Sequence, residues 1–314
     1  MRRMSPLSCL AATILVYFAL WWIIPRATFL PALVNAIDGL IPFVPRYAAD
    51  GLRLVGVAVM MAPTVAFMAV QIAIVYSFAR IRMSFWQAAG VLAALMFALA
   101  VVAFVIVTDS GVATKMARRL NPAETMFVLA RFPHVLKMPM AVLVMLAAGS
   151  IGYLVSLRIK DRNLLVPVVM FAAYIDFWTV TRGPVSAVLK KAPQVAEAVS
   201  APIPKIGTGA FVPVSYIGPG DFLFMTLVFA VVHRLDMGSR RNYWWIFGAM
   251  TAGMLSVLVG LVDTLPALMV LAAAVVAANW RGFKLSRQEA AAIGVVAVLL
   301  ASLPLVWTLL SHSR

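Results

Sequence analysis

Long apolar runs, separated by short basic gaps, fill this chain almost from end to end. A helix needs about 20 apolar residues to cross the hydrocarbon core of a bilayer, and in lipid only a helix or a closed barrel satisfies its own backbone. Runs at 7–24, 53–78, 84–108, 137–157, 164–180, 219–235, 242–262, 265–280 and 288–311 meet or approach that length. They predict an all-α, polytopic integral membrane protein with about nine transmembrane helices. Composition agrees, because 64% of the 314 residues are hydrophobic and only 12% are charged. The net charge of +15 sits in the gaps between runs, as expected of loops facing anionic headgroups, and no soluble basic domain remains to bind nucleic acid.

Cysteine and histidine narrow the chemistry further. The single cysteine, Cys9, lies inside the first run, so no intramolecular disulfide forms and a small buried hydrophobe is its expected role. His134, His233 and His312 are scattered, which argues against a histidine-ligated metal or haem, and no cofactor is expected. The first run follows a basic start and ends at Trp21-Trp22 and Pro25-Arg26, the pattern of a retained anchor with an interfacial border. Residues 27–45 are apolar but short, and they carry Pro31, Asp38, Gly39 and Pro42. An interfacial or re-entrant segment is the preferred reading, with a full crossing as the alternative. In the first case every short basic loop falls on one side; in the second the topology inverts from there on. Residues 122–132 carry the pattern of an interfacial amphipathic helix.

The chemistry concentrates at Gly218-Pro219-Gly220-Asp221, which opens the run at 219–235. A carboxylate in a membrane helix is expensive and marks a functional site by default. A second one, Asp176, lies near the end of the preceding helix. Because the chain stays on one membrane face between 181 and 217, Asp221 starts its helix on the face where Asp176 ends its own. Two further crossings return the chain to that face at Leu265-Pro266-Ala267-Leu268. Carboxylates on neighbouring helices, whose axes pack ~8–10 Å apart, can share one proton. Such a pair is equipped to hydrolyse an amide: the ionised acid takes a proton from water while the protonated one donates to the carbonyl oxygen. Pro219 fits the first helical turn, Gly218 and Gly220 are expected to admit close backbone approach, and the helix N-terminus favours Asp221 as the ionised partner. Asp263, beside Thr264, is expected to be a structural helix cap, and Arg182, Lys190 and Lys191 to be solvated or lipid-facing.

Tyr174-Ile175-Asp176, Gly218-Pro219-Gly220-Asp221 and Pro266-Ala267-Leu268, in that order, resemble the motifs of the presenilin and signal-peptide-peptidase family of intramembrane aspartyl proteases. The resemblance covers about residues 164–280. It implies that Asp176 and Asp221 are the catalytic pair. It implies too that Tyr174, Gly218, Pro219, Gly220, Leu265, Pro266, Ala267 and Leu268 shape the substrate site. Substrates would be transmembrane helices of other proteins, with the lipid bilayer as the working medium and with no metal and no nucleic acid. In this chain Tyr174 stands two residues before Asp176, where the family's tyrosine is adjacent to its aspartate, and proline occupies the variable position of Gly-x-Gly-Asp. The same tripeptide recurs as Pro31-Ala32-Leu33, so it is a weak signal alone. The expected organisation is an N-terminal set of transmembrane helices and interfacial segments at 1–163, a catalytic core at 164–280 and an additional C-terminal helix at 281–314, in a bacterial or archaeal cell membrane. The β-prone stretch 211–217 is expected to pair with an unwound substrate as an added strand. A secondary transporter using the two aspartates for proton coupling, or an enzyme like the prepilin peptidases, is the alternative.

Overall fold

A computed structural model describes residues 5–40, 42, 46–109, 134–181, 200–208, 213–262 and 265–283, together with single positions 287, 291 and 294. The described residues are mainly helical, in the order α1 (Pro6–Arg26), α2 (Phe29–Leu40), α3 (Arg46–Ala79), α4 (Phe85–Asp109), α5 (His134–Ser156) and α6 (Leu165–Thr181), then β1 (Ala201–Pro204), β2 (Pro213–Ile217), α7 (Pro219–Arg234), α8 (Ser239–Leu258) and α9 (Ala267–Asn279). A two-stranded antiparallel hairpin, in which Ala201 pairs with Ile217 and Ile203 with Ser215, is a small addition to the expected all-α fold.

Among the described residues, four helices are long and apolar enough to cross a membrane, within Pro6–Arg26, Ala49–Ala79, Phe85–Val105 and Lys137–Ser156. This falls short of the nine runs read as full spans. Helices α6, α7 and α9 have 17, 16 and 13 residues, and at 1.5 Å per residue α9 covers only about 20 Å. Helix α8 has 20 residues but opens on Arg240, Arg241 and Asn242, which lowers its apolar character. The run at 288–311 and the segment at 122–132 lie outside the described residues.

Helix α7 is the centre of the molecule. From Met225 to Val232 every residue is buried, and its main neighbours are α5 and α3. A helix apolar on all sides is stable only when surrounded. Its packing on α5 is close enough that a Cβ added at Gly152 would lie 2.0 Å from the Leu223 carbonyl oxygen. Aromatic rings tie the other neighbours on: Tyr76 of α3 meets Phe229 of α7 at 5.3 Å and Tyr243 of α8 at 5.0 Å. Tyr17 of α1 meets Phe67 of α3 at 4.8 Å. At the periphery, α4 packs on α5 and leaves Phe97 and Phe104 exposed, as a lipid-facing helix does.

Two faces follow from the connectivity. Arg80 and Arg82 after α3, Arg158, Lys160 and Arg162 after α5, and Arg234 at the end of α7 share one end of the bundle. There Arg162 donates twice to the Leu235 carbonyl, at 2.8 and 3.1 Å, and Arg234 donates to the Ser156 carbonyl at 2.6 Å. At the other end, β2 runs through Gly218 into α7. The end of α1 lies on that side too: Gly207, just beyond β1, donates its N–H to the Ile24 carbonyl, and a Cβ there would meet Pro31 of α2 at 2.6 Å. Helix α2, about 18 Å long, therefore stays at this end, with Val34 packed over Gly56 near the start of α3.

At the basic end, α8 and α9 are joined by a buried amide pair. Asn279 donates to Asn242 Oδ1 at 2.6 Å and Asn242 donates back at 3.2 Å, with spare N–H groups directed to the Val275 and Met237 carbonyls. Replacing Asn279 by Leu removes the donor to Asn242 Oδ1, and replacing Asn242 by Leu leaves Asn279 Oδ1 with only the Arg241 guanidinium, at 3.3 Å. We expect each single variant to cost about 1–3 kcal/mol and the double variant clearly less than the sum. Thermal midpoints of the purified protein in detergent measure this.

Candidate active site

Gly218-Pro219-Gly220-Asp221 folds as a helix start for local reasons. Gly218 is the N-cap with extended backbone, and Pro219 occupies the first helical position, where its missing N–H costs nothing. Asp221 at the third helical position accepts from the Gly218 N–H through Oδ2 at 3.2 Å, while its own N–H donates to the Gly218 carbonyl at 3.2 Å. This reciprocal pair fixes the carboxylate against the helix N-terminus.

Asp176 lies in the second half of α6, half-buried, with Oδ2 accepting the Leu268 backbone N–H at 2.9 Å. Leu268 is the second residue of α9, so Asp176 caps that helix from another part of the chain. Asp176 is close enough for its charge to act on Asp221, which is itself half-buried. The two aspartates and Pro266-Ala267-Leu268 thus gather at the end of the bundle opposite Arg80, Arg82, Arg158, Arg162 and Arg234, as expected from counting crossings.

Several expectations need correcting. Each carboxylate is met by a helix N-terminus, one through Gly218 and the other through Leu268, so a helix start is not a distinction of Asp221. Helices α6 and α7 touch only sparsely; α6 packs chiefly on α9, which packs in turn on α8. The helix of Asp176 is therefore tied to the Pro-Ala-Leu helix and packs little against the helix of Asp221. Among the described residues the glycines do not serve close backbone approach: nothing among them lies within 4 Å of a Cβ placed on exposed Gly220, and on Gly218 it would meet only Asp221 Oδ2, at 3.6 Å.

The remaining predicted residues differ in exposure. Pro219 and Ala267 are half-buried, Pro266 and Leu268 are buried, and Leu265 is exposed. Tyr174 is half-buried, and its hydroxyl is buried with no hydrogen-bond partner among the described residues. It is not joined to Asp176 or Asp221. Strand β1 is wholly buried and lies against α1, α3 and α5, and β2 leads from it into Gly218. Asp263, Thr264, Arg182, Lys190 and Lys191 lie outside the described residues, as do Phe211 and Val212 of the β-prone stretch.

Sequence reasoning missed the Leu268 amide, because a backbone donor carries no residue-type signal. It also missed Gly149 and Gly152, whose small-residue spacing on α5 was the available sign of close helix contact. No family model, curated protein or solved structure matches the chain.

Proposed function

We propose that this chain is an intramembrane aspartyl protease that cuts transmembrane segments of other membrane proteins. The observation that carries the reading is the Asp176–Leu268 hydrogen bond, which ties the Asp176 helix to Pro-Ala-Leu within electrostatic reach of Asp221. In this reading all helices except α2 cross the bilayer, the short ones flanking a locally wet site, and the run at 288–311 supplies the ninth crossing.

The reaction needs one proton shared between the two carboxylates. Water sits between them; the ionised carboxylate takes its proton as the oxygen attacks the scissile carbonyl carbon, and the protonated one gives its proton to the carbonyl oxygen. In the resulting tetrahedral diol the C–N bond then breaks. The nitrogen takes a proton from the carboxyl that had accepted one, and a diol hydroxyl returns the other, leaving a new carboxyl end, a new amine end and a pair again holding one proton. A helical substrate must unwind first, since its backbone groups are already paired. Strand β2 runs directly into Gly218, and in this reading the unwound segment adds to the hairpin as a further strand.

The test is cleavage of a purified single-span protein in proteoliposomes, with the new termini mapped by mass spectrometry. Cuts inside or beside the membrane segment, absent with Asp176→Ala and with Asp221→Ala, are expected. Proton-coupled solute uptake without cleavage would replace this reading with the transporter.

Orientation follows from charge. Arg80, Arg82, Arg158, Lys160, Arg162, Arg234, Arg240, Arg241 and Arg281 lie at the end opposite the aspartates, against Asp161 and Asp236. The positive-inside bias puts that end in the cytoplasm and opens the aspartates toward the outer leaflet. In a Cys9→Ser background, a membrane-impermeant maleimide added to intact cells should label exposed Lys205→Cys and leave exposed Lys160→Cys unlabelled until lysis; the reverse pattern inverts the topology.

A further inference from the structure

At the basic end, the last turns of α5 and α7 and the chain leaving α3 enclose a cavity of about 430 Å³. Arg82, His233 and Arg234 line it, with Tyr153 and Ser156 on the α5 side, and no carboxylate is among the lining residues. Its polar walls are already organised. The Tyr153 hydroxyl accepts the Met83 N–H at 2.9 Å, fixing the chain that carries Arg82 to the end of α5. Arg234 is held by the carbonyls of Ser156 and Ile159, which orient its guanidinium without neutralising its charge. Arg82 is exposed, and among the described residues it has no hydrogen-bond or ion-pair partner. Two guanidiniums around a space with no acid in its wall favour an anion with several acceptor oxygens.

We propose that this cavity holds the phosphate headgroup of an anionic membrane phospholipid, with Arg82 and Arg234 as its cationic clamp. Both the position and the lining distinguish a lipid from a free phosphate. The cavity lies where α3, α5 and α7 end, and the chain that leaves it at Met83 continues into the exposed aromatics Phe85 and Trp86 at the start of α4, as expected at a membrane interface. Ala79, Ile81, Leu157 and Ala230 complete the wall with apolar surface suited to a glycerol and upper acyl chain and of no use to an inorganic ion. The site is distant from the aspartates and does not depend on the protease reading.

The test is native mass spectrometry of the delipidated full chain titrated with dioleoylphosphatidylglycerol, dioleoylphosphatidylcholine or inorganic phosphate. We expect one saturable phosphatidylglycerol adduct, no saturable phosphatidylcholine adduct at the same concentrations, and no displacement by an equimolar amount of inorganic phosphate. Arg82→Gln, an exposed change that leaves the fold intact, should weaken the adduct about tenfold, the loss of one charge-assisted contact. Arg281→Gln, on the same face but outside the cavity, should leave it unchanged. Undiminished binding by Arg82→Gln, equal weakening by Arg281→Gln, equal binding of phosphatidylcholine, or displacement by phosphate would each overturn the proposal.

Discussion

Asp176→Ala and Asp221→Ala should each lower cleavage of a single-span substrate by at least about 10³-fold, and the double variant should be no slower than either single one. The non-additivity is the informative part. If one proton is shared, neither carboxylate can act as base or acid without the other, so the first loss removes the whole step. Two independent carboxylates would lose activity in proportion. Asp176 has a second role to separate from the first, because its Oδ2 also caps α9 through the Leu268 N–H. Asp176→Asn keeps a carbonyl oxygen for that amide, whereas Asp176→Ala does not. Both should be inactive, but the alanine variant should in addition lose about 1 kcal/mol of stability, seen as a lower thermal midpoint. An asparagine variant that still cuts at more than about one-tenth of the wild-type rate would remove Asp176 from the chemistry.

What could be read from the residues was decided by whether the determinant was local. The start of α7 at Pro219 follows from a proline that fits only the first turn and a glycine free to cap it, and the expected start was that residue. The common level of Asp176, Asp221 and Pro266-Ala267-Leu268 followed from connectivity, since each crossing changes face. Length proved a weaker guide. The 265–280 run reads as a span, but Pro266 delays the helix to Ala267 and the helix ends at Asn279, which turns back to bond Asn242. Partner choice was not legible. Two aspartates on consecutive helices suggest direct packing, yet α6 chooses α9, and the contact that decides it is a backbone N–H invisible in the residue pattern. Gly220 shows the same limit in reverse: its type suggested crowding and its surroundings are open.

Gly152→Val should be the most damaging substitution outside the aspartates. A Cβ at 152 would lie 2.0 Å from the Leu223 carbonyl oxygen, 2.9 Å from its carbon and 3.2 Å from the Leu227 nitrogen. All three atoms are backbone of α7, so no rotamer change relieves the clash and the two helices must separate by about 1 Å or more. We expect a loss of at least about 3 kcal/mol, read as a lower thermal midpoint. Gly149 provides the contrast, because the nearest atom to its Cβ is the Thr226 hydroxyl at 2.9 Å, a side chain that can be removed. Gly149→Ala should therefore be rescued by Thr226→Ala, whereas no single side-chain change on α7 should rescue Gly152→Val. Exposed Gly248, with nothing within 4 Å of its Cβ position, supplies the control: Gly248→Ala should be neutral or stabilising by up to about 1 kcal/mol through helix propensity. Activity should follow the same order. Leu223 lies two residues after Asp221, so pushing α7 away from α5 moves the carboxylate relative to Asp176, and a displacement of about 1 Å is enough to cost about 10²-fold in rate. Folded Gly152→Val protein with normal cleavage would show that the position of α7 against α5 does not set the geometry of the pair.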